Sequence, residues 1–230
     1  MSDDRFYLPP GGPERPLHGL TVLVVEDSRF ASEAIRLLSI RSGARIRRAD
    51  SLGAAHRHLA VYRPSVVIVD IGLPDGSGAD LIAELARARP RLPAILGMSG
   101  DPDGEAAALA AGADAFLAKP VESLALFQRV LLSALPGGRV ASGPQEVPND
   151  RILPDQVAFA DDLTHVAEIL SLGDSGARSY VAQLLTGVAI GAHDAPLAAA
   201  AGQLAQTGAD GALRRVVHLV EERLSRAQVV

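Results

Sequence analysis

The amino-acid sequence predicts a doubly wound α/β domain with a five-stranded parallel sheet, followed by a smaller all-α helical bundle. In the first part of the chain, short apolar runs of strand length alternate with longer amphipathic segments, which is the pattern of a sheet with crossover helices. The strongest runs are continuously apolar, as expected for strands that are buried on both faces. Beyond Pro154 the strand signals disappear and apolar residues recur with a helical period.

Five short segments are predicted to form the sheet. Three are strongly apolar or β-branched and two are weaker, and together they comprise residues 21–25, 44–47, 65–69, 94–96 and 115–118. Helix-length segments follow them, at residues 28–41, 51–61, 78–88, 104–111 and 122–135. Ligands of a doubly wound sheet bind beyond the carboxyl ends of its strands, so polar residues at those ends are the first candidates for a functional site.

Shifts in composition divide the chain into four parts. Residues 1–16 are acidic and rich in Pro and Gly, which predicts a flexible N-terminal segment, and residues 17–135 hold the α/β domain. A linker is predicted over residues 136–153, because seven of the fifteen residues from 136 to 150 are Pro, Gly or Ser. Residues 154–230 are expected to form a helical output or dimerisation domain, with helices at residues 155–170, 174–190, 194–205 and 210–227.

Composition and charge exclude several classes of protein. The chain has no Cys, which excludes disulfides, thiolate metal sites and cysteine nucleophiles and suits a reducing compartment. No segment has the roughly 18 consecutive apolar residues of a spanning helix, so we expect a cytoplasmic protein with no membrane partner. The net charge is −5, and residues 151–230 carry six basic and nine acidic side chains, so a nucleic-acid partner is not expected.

Polar side chains follow four of the five predicted strands. They are Glu26 and Asp27 after the first strand, Asp70 after the third, Ser99 after the fourth and Lys119 after the fifth. Carboxylates that converge at one edge of a sheet repel one another unless a hard cation neutralises them. Oxygen ligands without His or Cys favour Mg²⁺ over Zn²⁺. The sequence therefore predicts Mg²⁺ as a cofactor at this edge.

Lys119 is set apart by composition. It is the only Lys among the 22 Lys and Arg residues of the chain. The compact ammonium of Lys and the planar guanidinium of Arg make different contacts. A single Lys at a strand end therefore indicates a specific role at the site.

The strand-end residues together resemble the receiver domain of two-component response regulators. The resemblance covers about residues 19–135 and rests on the order and spacing of Glu26-Asp27, Asp70-Ile71-Gly72-Leu73-Pro74, Gly78, Ser99-Gly100 and Lys119-Pro120. It implies that the protein is a response regulator in a phosphorelay, whose partner is a sensor histidine kinase or a histidine phosphotransfer protein. Such a protein catalyses its own phosphorylation and dephosphorylation and is otherwise not an enzyme.

The resemblance also implies a role for each site residue. Asp70 would accept the phosphoryl group, and Asp27 and Asp70 would bind Mg²⁺ together with the backbone carbonyl of Gly72, with Glu26 assisting through water. Lys119 would pair with the phosphoryl group.

Two further residues are implied to respond to phosphorylation. Ser99 would hydrogen-bond the phosphoryl group and follow its oxygen. The space that Ser99 leaves would let Phe116, three residues before Lys119, turn inward and change the surface.

Two alternative functions fit parts of the pattern. Haloacid-dehalogenase-type phosphatases also use an Asp nucleophile with Mg²⁺, but they place a second Asp two residues later, where this chain has Gly72. A DNA-binding transcriptional regulator is the other alternative. Against it, the helical region is acidic and has no basic recognition stripe beyond Arg214 and Arg215.

The segment around His218 resembles the histidine-bearing helix of phosphotransfer domains. Helical periodicity places His218 opposite an apolar face, so we expect it to be exposed. The phosphotransfer pattern has Lys and Gly three and four residues after the histidine, where this chain has Glu221 and Glu222. We therefore expect either a degenerate phosphotransfer-like bundle or an unplaced one, with His218 dispensable. Such a short bundle would leave one apolar face uncovered, to be covered by a second copy of the chain or by a partner, and this predicts a possible homodimer through residues 154–230.

Overall fold

The computed structural model describes residues 15–136, 154–172 and 176–227 of the 230-residue chain. The predicted N-terminal segment and linker lie outside these residues, apart from residues 15, 16 and 136. Within the described ranges, no helix is both long and apolar enough to cross a bilayer.

The α/β domain alternates strands and helices. Its strands are β1 (Thr21–Val25), β2 (Arg45–Ala49), β3 (Val66–Asp70), β4 (Gly72–Leu73), β5 (Gly76–Ser77), β6 (Ala94–Ser99) and β7 (Ala115–Ala118). Its helices are α1 (Arg29–Arg41), α2 (Leu52–Val61), α3 (Gly78–Arg87), α4 (Gly104–Ala111) and α5 (Leu124–Ala134). The two short strands β4 and β5 form a separate antiparallel hairpin.

Five strands form one parallel sheet in the order β2-β1-β3-β6-β7, which confirms the predicted fold class. The central strand β3 is buried along its whole length, and this explains its continuous apolar sequence. The edge strand β2 instead exposes Arg45, Arg47 and Arg48. Its sequence signal was weak because an edge strand meets water and has only a partial apolar face.

Helices cover both faces of this sheet. On one face, α1 and α5 contribute to a core in which Phe127 is fully buried. On the other face, α2, α3 and α4 pack on a second core that includes Leu81 and Ile82. The carboxyl ends of the strands therefore remain as the edge where polar residues can gather.

Four helices follow, namely α6 (Gln156–Ser171), α7 (Ala177–Gly191), α8 (Ala195–Thr207) and α9 (Asp210–Ala227). Helix α7 packs between α6 and α8, and α9 packs between α8 and α6, so the four helices form a closed bundle. Its interior contains fully buried side chains from every helix, including Val166, Leu185, Leu197 and Val216. We call this unit the C-terminal bundle.

The apolar face that motivated the homodimer prediction is covered within the same chain. Helices α6 and α7 pack against α1. Phe30 of α1 belongs to the apolar core of the C-terminal bundle, and its ring meets Phe159 edge-on with 6.1 Å between the ring centroids. The expectation of an uncovered face was wrong, because helical periodicity does not show which part of a chain packs on a face. The homodimer itself stays a prediction.

The interior of the C-terminal bundle is expected to control its stability. Leu185 is fully buried, so Leu185→Ala should lower the free energy of unfolding by about 2–5 kcal/mol. Leu172→Ala is the matched control, because Leu172 is 82% exposed and its truncation should change the free energy by less than about 0.5 kcal/mol. Urea denaturation followed by circular dichroism measures both. Equal losses in the two variants would contradict the described packing.

Candidate functional site

An acidic cluster lies at the carboxyl ends of β1 and β3. These strands are adjacent and parallel, with Val25 in register with Val69, so the residues that follow them emerge at one edge. Carboxylate oxygens of Glu26, Asp27 and Asp70 lie within 4.8 Å of one another. Glu26 and Asp70 are buried and Asp27 is half-buried. The structure thus brings together the three carboxylates that the sequence predicted.

Lys119 enters this cluster from the end of β7. Its Nζ atom lies 2.6 Å from Oε2 of Glu26 and 3.0 Å from Oδ2 of Asp70. Its backbone N–H donates to the carbonyl of Ser99 at 2.9 Å, which ties the loop after β7 to the end of β6. One ammonium group therefore pairs with two of the three clustered carboxylates.

Burial and charge shift the pKa values of these groups in a consistent way. Burial raises the pKa of Glu26 well above its usual range, and the positive charge of Lys119 offsets only part of this. Burial likewise raises the pKa of Asp70, again against the opposing effect of Lys119. Burial lowers the pKa of Lys119, but the charges of Glu26 and Asp70 raise it by more. Glu26 and Asp70 therefore have raised pKa values chiefly because they are buried, and the charge of Lys119 only partly opposes this.

The donor set suits a hard divalent cation. All the clustered ligand atoms are carboxylate oxygens, and oxygen ligands are those that Mg²⁺ prefers. A divalent cation would supply the positive charge that Lys119 alone does not. Gly72, the predicted carbonyl ligand, lies directly after this cluster in β4, and its role stays a prediction.

The turn after Asp70 is held by Gly78 at the start of α3. A Cβ atom on Gly78 would lie 1.8 Å from the carbonyl oxygen of Asp70, so only glycine fits. The N–H of Gly78 donates to the carbonyl of Ile71 at 2.9 Å. This close approach of helix to strand fixes the backbone that carries the Asp70 carboxylate.

Ser99 and Phe116 meet near the start of α4. Ser99 is buried at the end of β6, and its Oγ accepts a hydrogen bond from the N–H of Asp101 at 3.0 Å. A Cβ atom on Gly104 would lie 2.9 Å from Oγ of Ser99 and 3.6 Å from the tip of the Phe116 ring. Phe116 is half-buried against the core on that face. The two side chains border the same glycine, Gly104, and their role as a switch stays a prediction.

Residues of the C-terminal bundle complete the site, and sequence reasoning missed them. The Oη atom of Tyr180 in α7 donates to Oδ2 of Asp27 at 2.5 Å. Asp162 in α6 is buried against the N-terminus of α1. These residues lie more than 130 positions after their partners, so no local motif could have indicated them. A cavity of about 350 Å³ remains between the two units, lined by Asp70, Lys119 and Gln183 among others.

His218 lies outside the acidic cluster. It is exposed on α9, as the helical period predicted, and it does not line the cavity at the acidic cluster. Glu222, one turn later, forms ion pairs with Arg223 and Arg226 at 2.8 and 2.5 Å. The Glu222 carboxylate near His218 therefore serves contacts within α9 itself.

The family model of response regulator receiver domains matches residues 22–131. This part of the chain is a receiver domain. The family resemblance drawn from the strand-end residues is thereby confirmed for residues 22–131. The roles of the individual site residues remain proposals.

Known proteins resemble this receiver chain over part of their length. It is 34% identical over 139 residues to the probable transcriptional regulatory protein TcrX of Mycobacterium tuberculosis, which covers 59% of each chain. It is 33% identical over 99 residues to the KDP operon transcriptional regulatory protein KdpE of Escherichia coli, which covers 43% of this chain and 44% of KdpE. The chain spans about half the length of these curated relatives.

A crystal structure of a putative response regulator from Chloroflexus aurantiacus is also similar. It is 31% identical, with 44% of this chain and 85% of that chain covered and a TM-score of 0.42. The names of the curated relatives are those of transcriptional regulators, so they do not support our expectation that nucleic acid is not a partner.

Removing one charge from the acidic cluster should stabilise the metal-free protein. The pKa of Asp70 is higher in the folded state than its usual value, so its negative charge destabilises the fold at neutral pH. Asp70→Asn should therefore raise Tm in EDTA, where about 1 kcal/mol corresponds to roughly 2–4 °C for a protein of this size. The difference from the wild type should shrink as the pH falls, because the wild-type carboxyl group then takes up a proton.

Asp75→Asn is a control for which we expect the opposite change in Tm. Asp75 accepts hydrogen bonds from the N–H groups of Leu52 and Gly53 at 2.9 and 3.0 Å. Burial tends to raise its pKa, but these hydrogen bonds lower it by more, so its charge stabilises the fold. Asp75→Asn should lower Tm at neutral pH. A fall in Tm for Asp70→Asn as well, measured by differential scanning calorimetry, would contradict the charge imbalance.

Proposed function

We propose that this response regulator accepts a phosphoryl group on Asp70 with Mg²⁺ and signals through protein contacts of the C-terminal bundle. The donor is a sensor histidine kinase or a histidine phosphotransfer protein. The observation that carries the proposal is the cluster of three carboxylates with one half-buried ammonium, at the strand ends of a receiver domain. Its members are the residue types that phosphoryl transfer to a carboxylate requires.

The transfer is an in-line displacement at phosphorus. A carboxylate oxygen of Asp70 attacks the phosphorus atom, and a P–O bond forms as the P–N bond to the donor imidazole breaks. The imidazole carries a proton on its other nitrogen and therefore leaves as a neutral group. With acetyl phosphate the bond that breaks is a P–O bond, and acetate leaves. The product in both cases is an acyl phosphate on Asp70.

Each neighbouring residue has a part in this displacement. Asp27, Asp70 and the carbonyl of Gly72 would hold Mg²⁺, with Glu26 assisting through water. When bound, Mg²⁺ supplies positive charge to the transferring oxygens. The ammonium of Lys119, now between Glu26 and Asp70, is within reach of a phosphoryl oxygen on Asp70.

The same geometry supports a route from the phosphoryl group to the protein surface. The hydroxyl of Ser99 would turn to a phosphoryl oxygen and give up the N–H of Asp101, its hydrogen-bond donor in the free protein. Phe116 would fill the space that Ser99 leaves. A local change in charge thereby becomes a change in the shape of the surface near α4.

Phosphorylation tests the proposal directly. The wild type should gain one phosphoryl group from acetyl phosphate in the presence of Mg²⁺, and Asp70→Asn should gain none. Asp75→Asn is the control, because Asp75 caps α2 outside the acidic cluster and should be labelled like the wild type. EDTA should abolish labelling. Undiminished labelling of Asp70→Asn, measured by intact-protein mass spectrometry, would refute the role of Asp70.

Transcriptional regulation is the second candidate function, because the curated relatives carry that name. We expect no sequence-specific DNA binding at physiological salt, since the acidic balance of residues 151–230 leaves few cations for the roughly six to ten phosphates of a typical site. Electrophoretic shift assays with genomic DNA fragments, in the presence and absence of BeF₃⁻, measure this. Nanomolar binding to one fragment would establish the second candidate instead. The phosphatase alternative lacks support, because Gly72 has no side chain to act as a proton donor.

A further inference from the structure

The C-terminal bundle covers the mouth of the acceptor site. Helix α7 lies over the turn that follows Asp70, and Gln183 lies so close to Gly72 that a Cβ atom there would be 2.0 Å from Nε2 of Gln183. Tyr180 and Gln183 line the same cavity of about 350 Å³ as Asp70 and Lys119. Helix α7 therefore borders the space through which a phosphoryl donor would approach Asp70.

Asp162 attaches the C-terminal bundle to the receiver domain through the N-terminus of α1. Its Oδ1 accepts the N–H of Arg29 at 2.7 Å, and its Oδ2 accepts the N–H of Phe30 at 3.0 Å and the hydroxyl of Ser28 at 2.7 Å. The first N–H groups of a helix have no partner within the helix, and its N-terminus attracts negative charge. A buried carboxylate from one unit thus caps a helix of the other.

This attachment is continuous with the acidic cluster. Ser28, which donates to Asp162, also accepts the N–H of Ala31 as the N-cap of α1. The N–H of Ser28 donates to Oε1 of Glu26 at 3.1 Å. The turn that carries Glu26 and Asp27 is therefore held on one side by the receiver core and on the other by the C-terminal bundle.

Tyr180 makes the contact that bears most directly on metal binding. Its hydroxyl donates a hydrogen bond to Oδ2 of Asp27, one of the three clustered carboxylates. A hydroxyl proton and a divalent cation both bind the lone pairs of a carboxylate oxygen. With α7 in place, the lone pairs of Asp27 are partly taken, and the ring of Tyr180 stands at the edge of the cluster.

We propose that the C-terminal bundle is an intramolecular partner of the receiver domain, held by Asp162 and Tyr180, and that its docking and the metal-loaded, phosphorylated state of the site exclude each other. The surface formed by α6 and α7 then binds the receiver domain, and metal binding and phosphorylation release the bundle from it. This inference rests on the proposed function, since it assigns a partner and a form of regulation to the same site. Linkage makes the effect reciprocal, because docking weakens metal binding by the same factor as metal binding weakens docking.

Metal affinity tests the role of Tyr180. Tyr180→Phe keeps the ring and removes only the hydroxyl, so the full chain should bind Mg²⁺ about tenfold more tightly, which corresponds to about 1.4 kcal/mol. Tyr62→Phe is the matched control, because Tyr62 lies at the end of α2 and outside the acidic cluster. Titration of MgCl₂ into each protein by isothermal calorimetry gives the affinities. Equal affinities of the wild type and Tyr180→Phe would overturn the proposal.

Hydrogen exchange tests the role of Asp162 without any phosphoryl chemistry. The N–H groups of Arg29 and Phe30 have Asp162 as their acceptor, so their exchange, followed by NMR, reports docking. Addition of Mg²⁺ with BeF₃⁻ should accelerate their exchange at least tenfold in the wild type. Asp162→Asn should show fast exchange before any addition, whereas Glu168→Gln, which changes an exposed carboxylate of α6, should match the wild type.

Unchanged protection of Arg29 and Phe30 on addition of Mg²⁺ and BeF₃⁻, with the metal shown by calorimetry to be bound, would overturn the exclusion. The two proposals fail separately. If docking and metal binding do not exclude each other, acetyl phosphate should still label Asp70. Absence of labelling would refute the proposed function, while the affinity of Tyr180→Phe for Mg²⁺ would still report on docking.

Discussion

The rest of the site depends on the ion pairs that the Lys119 ammonium forms with Glu26 and Asp70. The ammonium lies within 3.0 Å of both Glu26 and Asp70, and it partly compensates charges that would otherwise repel one another in a site of low dielectric. Burial raises the pKa values of both carboxyl groups, and the charge of Lys119 offsets only part of this rise. The negative charge that Lys119 does not compensate attracts a divalent cation to the site.

The fold brings these residues together with few additional residues. Adjacent parallel strands end at the same edge, so residues distant in sequence converge there without any specific loop. The apolar strands β1, β3 and β6 supply the rigid support, and Gly78 brings α3 close enough to fix the backbone of Asp70. Stability is lost at the cluster and recovered in the two cores that flank the sheet.

The C-terminal bundle also contacts this negatively charged cluster. It places a tyrosine hydroxyl on Asp27 and a carboxylate on the helix that begins one residue after Ser28. Apolar contact between the two units includes the packing of Phe30 against Phe159. A ligand can shift the equilibrium between the docked and undocked bundle only by the difference in its affinity for those two states. The hydrogen bond of Tyr180 to Asp27, a proposed metal ligand, provides that difference. His218 is exposed on α9 and does not line the cavity at the acidic cluster.

The sequence by itself determined the fold class and the convergence of the acidic cluster. Strand and helix periodicities are local, and the topology of a parallel sheet then brings strand-end residues such as Asp27 and Asp70 together. The helices of the C-terminal bundle were also predictable, because their apolar period is local. Only the tertiary structure decided which face of α6 and α7 packs on α1, and hence the contacts of Asp162 and Tyr180. Those contacts join residues more than 130 positions apart through single side chains, and no periodic signal encodes such a pairing.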